Sequence, residues 1–355
     1  MRFFWQKKEM ERPYIVAGPC SVESRGQLEA VTEALARLPQ VRLVRCGVWK
    51  PRTHPGSFDG LGEEALAWME ALRQAHPGVR YCCEVAMPEH VETALRHGLD
   101  AFWIGARTTA NPFLVQEVTE ALRGTQATLL VKNAPSPDVE LWAGAIERCR
   151  KVGLADILAV HRGFDMLRNQ GYRNSPLWEV PIELRHRMPE VPILCDPSHI
   201  AGRRDLIEEV SQTALDMGFD GLMVEVHPSP DEALTDARQQ ITPEALETIL
   251  SRLVVRRTDT PSADVQLNLL RGQIDRLDEQ LLQLCAARFD VVRQIADVKR
   301  QENMALFQPQ RWDSLLSQHI ATGKELGLSE EFVKGLFEKI HTESIRIQHA
   351  HTQLS

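Results

Sequence analysis

The sequence predicts an α/β fold: a TIM-type (β/α)8 barrel followed by a C-terminal all-α three-helix domain that dimerises. Three observations predict it. Eight short β-rich runs alternate with longer amphipathic stretches from Tyr14 to about Val254. The runs are nearly continuous in apolar residues, the pattern of parallel strands covered on both faces. Beyond Val254 the strand signal stops, and apolar residues recur at spacings of three and four. That recurrence is helical.

The eight runs come in order as YIVAGPC, VRLVRCGVW, VRYCCEVA, AFWIGA, TLLVKN, DILAVHRGF, VPILCD and GLMVEVHP. Between them lie helix-like segments such as GLGEEALAWMEALRQAHPG, NPFLVQEVTEALRG, VELWAGAIERCRKVG and RRDLIEEVSQTALDMG. Each of these four ends in Gly, a common helix stop. Eight such units in about 250 residues fit a closed barrel. The competing fold, an open doubly wound sheet, favours a Gly-rich dinucleotide turn after its first strand. AGPCSVES is no such turn.

The barrel is assigned residues 1–254, a linker 255–264, and the helical domain 265–355. The linker reading rests on the polar, Pro-containing stretch VVRRTDTPSADV. Leu267, Leu270, Ile274, Leu277, Leu281 and Leu284 then form a coiled-coil-like seam. Unbroken to about Asn303, this helix would be roughly 55 Å long. A segment of this size buries such a helix poorly by itself, so a second copy is the expected partner. Two further helices are expected, from Pro309 to Thr322 and from Ser329 to His351.

The formal net charge of −8 argues against non-specific nucleic-acid binding. Seven cysteines without a small-scaffold pattern fit a reducing compartment. The N-terminus is not a signal peptide, and no apolar run reaches membrane length. A soluble cytoplasmic protein is expected, with small-molecule substrates and neither nucleic acid nor membrane as partner.

Barrel chemistry sits at the C-terminal ends of the strands. Two sets of polar residues fall there. Cys20, His199, Glu225 and Asp236 offer a thiolate, an imidazole and two carboxylates, a borderline ligand set for a first-row divalent metal. Glu225 stands in the apolar run LMVEVHP, where an isolated carboxylate is costly, and an ion would compensate it. The second set is cationic: Arg45, Lys50, Arg52, Arg107, Lys132 and Arg162. Such a cluster suits a multiply anionic substrate, with two phosphates. Singly, each residue has a plainer reading: Cys20 as a small buried residue, Glu225 as the partner of an Arg, Glu84 as the partner of a barrel Lys. His161, His227 and Cys195 could serve beside the site or in the core.

The segments AGPCSVES, KPRTHPGSFDGLG, IGARTTANPFLVQEV, VKNAPSPD, DPSHIAGRRD and LTDARQQI carry a resemblance. In that order they resemble the 3-deoxy-D-arabino-heptulosonate 7-phosphate (DAHP) synthases, in the compact subfamily related to 3-deoxy-octulosonate 8-phosphate synthase. The resemblance implies Cys20, His199, Glu225 and Asp236 as metal ligands, for Mn²⁺ first and Co²⁺, Fe²⁺ or Zn²⁺ as alternatives. It places the phosphate of phosphoenolpyruvate on Arg107, Lys132 and Arg162, and its carboxylate near Arg45 and Lys50. Arg52 and Thr53 of KPRT would meet erythrose 4-phosphate; the octulosonate enzymes typically show an Asn-Arg-Ser-like segment there. The implied reaction is the aldol-like condensation that opens the shikimate pathway. Lys50 would be the proton donor, and His199 or Glu84 would position water. The chain begins close to strand 1, so an N-terminal regulatory domain is not expected.

In the tail, Arg288 and Lys299 are 11 positions apart and share a helix face, whereas Arg271 points elsewhere. An antiparallel partner could return Arg271 to one ligand. Ser344 and Gln348 share a face of the last helix. The stretch LLRGQIDRLDEQLLQLCAARFDVVRQIADVK resembles the all-helical class of chorismate mutase. That resemblance implies Arg271, Arg288, Lys299, Arg311, Ser344 and Gln348 as site residues, with Lys299 and Gln348 at the ether oxygen and no cofactor. Gln308 and Trp312 stand where that class often has acids, which would weaken contact to the substrate hydroxyl. The expected whole is a bifunctional enzyme, a homodimer through its C-terminal helices or a tetramer, restrained by prephenate or chorismate. The alternatives are a tail that senses ligand with little catalysis, and a barrel acting like the octulosonate enzyme.

Overall fold

The computed structural model describes residues 13–50, 56, 58–166, 171–255 and 264–353. Arg52 and Thr53 lie outside the described residues, as does 256–263 of the expected linker. The chain divides into two compact units after residue 258.

In the first unit the eight expected runs are eight parallel strands: β1 (Tyr14–Gly18), β2 (Val41–Cys46), β3 (Tyr81–Val85), β4 (Ala101–Ile104), β5 (Thr128–Lys132), β6 (Asp156–His161), β7 (Ile193–Cys195) and β8 (Gly221–Glu225). They pair in chain order, and β8 closes the barrel on β1 with Tyr14 opposite Gly221 and Gly18 opposite Glu225. A main helix follows each strand: Arg25–Ala36, Glu63–Ala75, Pro88–Arg96, Pro112–Ala121, Val139–Lys151, Glu179–Arg187, Ile207–Asp216 and Pro243–Arg252. Several begin on local signals visible in the sequence. Asn111, Asp138 and Thr242 cap their helices by accepting hydrogen bonds from Leu114, Leu141 and Ala245 backbone N–H, and Pro112 and Pro243 occupy the first turn.

The two faces of each strand enter two separate cores. Outward residues such as Ile15, Ala17, Leu129 and Val131 pack under the helices, where Trp142 is fully buried and donates its indole N–H to the Val131 carbonyl at 3.0 Å. Inward residues fill the barrel: Val16, Leu43, Cys82, Trp103, Leu130, Leu158, Leu194 and Met223. Burying such a side chain is worth about 1.5–3 kcal/mol, and here it forms a dry floor. Because strand side chains alternate with period two, the next inward position lies two residues further on. Those positions are Arg45, Glu84, Lys132, Asp196 and Glu225. A layer of charge therefore stands directly on the apolar floor.

The second unit holds three helices: Asp264–Gln301, Pro309–Glu325 and Glu330–Gln353. Val292 and Ala296 on the long helix are buried, whereas Ile274, Leu277 and Leu281 in its first half are all more than half exposed. Among the described residues no helix is long and apolar enough to cross a membrane.

Gly221 tests the closure. A Cβ there would run into the Tyr14 carbonyl across the β1–β8 seam. Gly221→Ala is expected to cost about 1–3 kcal/mol, read as a lowered urea midpoint; an unchanged midpoint would mean that the seam can part.

Candidate active sites

The charge layer is internally paired. Arg45 Nη2 donates to Glu225 Oε1 at 3.0 Å, both groups fully buried. Lys132 Nζ donates to Asp196 Oδ2 at 2.7 Å. Lys50 Nζ, from beyond β2, lies 3.5 Å from Glu84 Oε2 and donates to the Cys20 carbonyl at 3.0 Å. Glu84 has room because Gly105 carries no side chain; a Cβ there would strike its Oε1. The partner of Glu225 expected from the sequence was a metal ion. The structure shows the other partner the sequence allowed, an Arg, and adds an amide, since Gln239 Nε2 donates to Glu225 Oε2 at 2.6 Å.

Cys20, His199, Glu225 and Asp236 come together. Ligand atoms of Cys20, Glu225 and Asp236 lie within 4.8 Å of one another. Cys20 Sγ is 3.3 Å from Asp236 Oδ2, and His199 Nε2 stands 3.8 Å from Glu225 Oε1 and 4.0 Å from Asp236 Oδ2. Ligands about 2.1 Å from a tetrahedral ion would be roughly 3.4 Å apart, so Cys20, Glu225 and Asp236 are spaced for a divalent metal, and His199 Nε2 stands close enough to the two carboxylates to join them.

Neighbours hold each donor. The Cys20 backbone N–H donates to Gln240 Oε1 at 2.9 Å. Asp196 caps the short helix Pro197–Ala201 by accepting from the His199 backbone N–H, and its Oδ2 lies 2.8 Å from His199 Nδ1 without the alignment of a full hydrogen bond. This leaves Nε2 toward the carboxylates. Asp236 has φ 48°, a left-handed backbone that Asp tolerates, and Arg173 Nη1 donates to its Oδ1 at 2.9 Å.

The local charges suit a metal. Burial, then the Glu225 carboxylate, pushes the Cys20 thiol up to about 12. A thiolate there needs a strong positive partner. Burial also works to raise Glu225 and Asp236, but it is outweighed: His199 and Arg45 lower the first, His199 and Arg173 the second. Burial lowers His199 against the pull of Asp196.

Beside this group opens a cavity of about 160 Å³ whose lining includes six cations, Arg45, Lys50, Arg107, Lys132, Arg162 and Arg173, but only three acids, Glu84, Asp165 and Asp236. Arg45 Nε and Nη1 are buried there without hydrogen-bond partners. Burial lowers Arg162, which lies 3.8 Å from Asp165. His161 is a core residue: it is caged by Trp142, Phe164, Trp178 and Phe219, and burial lowers it to about 3. Cys195 is core as well, and His227 lies 3.6 Å from Glu23.

In the second unit Arg288 Nη1 donates to Ser344 Oγ at 2.8 Å, joining the long helix to the last. Gln348 Nε2 donates to the Ser344 carbonyl at 3.3 Å. Lys299 Nζ donates to the Leu306 carbonyl at 2.5 Å, and burial lowers its pKa. Arg271 and Arg311 are exposed and lie outside this bonded group. The Trp312 ring stacks on His341 at 4.0 Å between centroids, and Phe307 lies 5.7 Å from the same imidazole.

Sequence reasoning assigned no role to Gln239, Arg173, Asp196 or His341. Gln239 lies inside the motif LTDARQQI and Asp196 opens DPSH, so both were within reach. His341 is three and seven positions before Ser344 and Gln348, a helical spacing that could have found it. Arg173 carries no sequence signal.

A buried thiol, an imidazole and two acids next to an excess of cations define a barrel enzyme for anionic substrates with a place for a divalent ion. Comparison with known proteins makes this specific. Residues 8–260 match the DAHP synthetase I family, and the chain belongs to it. Residues 270–349 match chorismate mutase type II. The chain thus carries two enzyme activities, 3-deoxy-7-phosphoheptulonate synthase and chorismate mutase. A phospho-2-dehydro-3-deoxyheptonate aldolase of Thermotoga maritima is 31% identical over 239 residues, covering 67% of this chain and 68% of the relative. A 2-dehydro-3-deoxyphosphooctonate aldolase of Desulfotalea psychrophila is 26% identical over 267 residues, covering 68% and 88%. A crystal structure of the Thermotoga maritima DAHP synthase aligns with TM-score 0.61 at 30% identity over 69% of this chain and 68% of that one.

Arg45 is the test of the paired layer. Arg45→Met leaves Glu225 buried without its guanidinium and is expected to cost about 3–5 kcal/mol in chelator-treated protein, measured by urea unfolding. An unchanged midpoint would mean that Gln239 suffices for Glu225.

Proposed function

We propose that the barrel condenses phosphoenolpyruvate with erythrose 4-phosphate, giving DAHP and phosphate, and depends on a divalent metal, Mn²⁺ in the first instance. The observation that carries this is the meeting of Cys20, His199, Glu225 and Asp236 beside the cationic cavity. Those four residues would hold the ion, which when bound supplies Lewis-acid polarisation of the aldehyde.

The chain's own residues do the rest. Arg107, Lys132 and Arg162 receive the phosphate of phosphoenolpyruvate. Arg45, with Nε and Nη1 still unpaired, and Lys50 receive its carboxylate. Held so, C3 of phosphoenolpyruvate faces the aldehyde carbon, and orientation replaces a chance encounter. Lys50 is the proton donor to the aldehyde oxygen as the C–C bond forms. Burial alone would lower it, but Cys20 and Glu84 raise it, so it enters the reaction as an ammonium. Water positioned by Glu84 or His199 adds at C2, and phosphate leaves. Preference for the four-carbon aldose over arabinose 5-phosphate is assigned to Arg52 and Thr53.

In the second unit Arg288, Arg311 and Arg271 of a second copy hold the two carboxylates of chorismate, and Lys299 and Gln348 face the ether oxygen. Rate comes from holding the compact conformer and from electrostatics aimed at the breaking bond. Homodimerisation is supported by the exposed seam of the long helix, where Leu277 is 63% and Leu284 68% exposed. Prephenate bound at this site restrains the synthase.

Chelation with EDTA should abolish condensation, and Mn²⁺ should restore it; full activity after metal stripping would defeat the assignment. Cys20→Ala should lose metal in elemental analysis while keeping its circular dichroism. Arg288→Ala should lower chorismate turnover by at least a hundredfold and remove prephenate inhibition, with the uninhibited synthase rate intact. A wild-type synthase indifferent to prephenate would remove the regulatory role.

A further inference from the structure

Among the described residues of the second unit, His341 has a buried ring nitrogen to which the mutase reading gives no task. It lies on the last helix three and seven positions before Ser344 and Gln348, so the three form one stripe. That stripe faces the long helix, since Ser344 takes the Arg288 hydrogen bond. Trp312, from the first turn of the second helix, lies flat on the imidazole at 4.0 Å and 20°, and Phe307 closes another side at 5.7 Å. Two aromatic rings thus fix the plane of the imidazole. Its Nε2 is buried and has no hydrogen-bond partner. A sealed polar atom without a partner is costly, and a ligand that supplies one regains that cost on binding.

The chemistry of the vacant partner is narrow. Burial lowers His341, and Arg288 and Lys299 lower it further, so the ring is neutral. A neutral imidazole is a poor anchor for a carboxylate, and this site already has cations for both. It suits a hydroxyl, which donates and accepts and so matches either tautomer. The first turn of the second helix carries no acid that could take that hydroxyl.

Building on the mutase reading, we infer that His341 is a specificity-determining residue whose Nε2 hydrogen-bonds the ring hydroxyl of the substrate, held in place by Trp312. The Gln308 and Trp312 departures then have a consequence. An acid on the second helix is replaced by an imidazole on the last helix, with an aromatic plate to orient it.

The test uses the full-length chain as wild type, His341→Leu and His341→Gln, each assayed with chorismate and with an analogue lacking the ring hydroxyl. Synthase activity of the same preparations and circular dichroism of the helical unit report folding. His341→Leu should lose about tenfold in kcat/KM on chorismate and nothing on the deoxy analogue, the loss of one neutral hydrogen bond. His341→Gln, which keeps a polar end, should recover part of the loss. Equal losses on both substrates, or no loss on chorismate, would overturn the proposal. Absence of turnover by the wild type would instead defeat the mutase reading. Calorimetric binding of the two compounds then decides the His341 contact by itself: a preference for the hydroxylated compound that His341→Leu abolishes supports it, and an unaltered preference overturns it.

Discussion

The barrel depends on five charged side chains standing one strand step above an apolar floor. Arg45, Glu84, Lys132 and Glu225 come from four different strands and Asp196 directly follows a fifth, and the alternation that turns Leu43, Cys82, Leu130, Leu194 and Met223 inward turns them inward too. Left single, each would be expensive in so dry a place. Closure in chain order sets cation beside anion, and two of the pairs form at 3.0 and 2.7 Å. A buried ion pair adds little to stability compared with an apolar pair of similar size. Its presence here is better explained by what it keeps ready. Arg45 gives Glu225 one nitrogen and holds two more in reserve, and Asp196 serves Lys132 and His199 together.

That readiness is directional. The ligand cluster is rich in acid, and the adjoining cavity is rich in cation. On the proposed reading, an ion and a polyanion would take adjoining places that share His199 and Asp236, each countering the charge of its surroundings. Because the side chains are already paired, little reorganisation would accompany such binding, the condition under which electrostatics is effective. Asp236 joins the two halves. One oxygen points toward Cys20 and His199, the other is held by Arg173, a cation of the cavity wall.

Much of this was legible in the chain. All eight strands stand where apolar runs alternate with helical ones, because a strand covered on both faces has little freedom of composition. The four donors and the cations could be grouped because barrel geometry gathers strand ends at one rim. Pairing was less legible. Glu225 is 180 positions from Arg45, and β8 and β2 both flank β1, so the contact exists only once the sheet closes. Arg173 follows a segment with no periodic signal. Its bond to Asp236 belongs to tertiary packing and leaves no local trace.

The helical unit poses the opposite problem, too little burial. Val292 and Ala296 find cover in the second half of the long helix, whereas Leu270, Ile274, Leu277 and Leu281 in the first half are at least half exposed. A helix gains most of its stability from packing an apolar face, so a stretch of this length calls for a partner. The same half carries Arg271, exposed and 17 residues before Arg288. Covering the seam with an antiparallel copy would stabilise the helix and bring in the missing cation through one contact. Assembly and ligand binding would then be linked, because each completes what the other needs. The same linkage offers a physical route by which a ligand of this unit could be felt by the chain as a whole, and thermodynamic reciprocity requires that any such influence run in both directions.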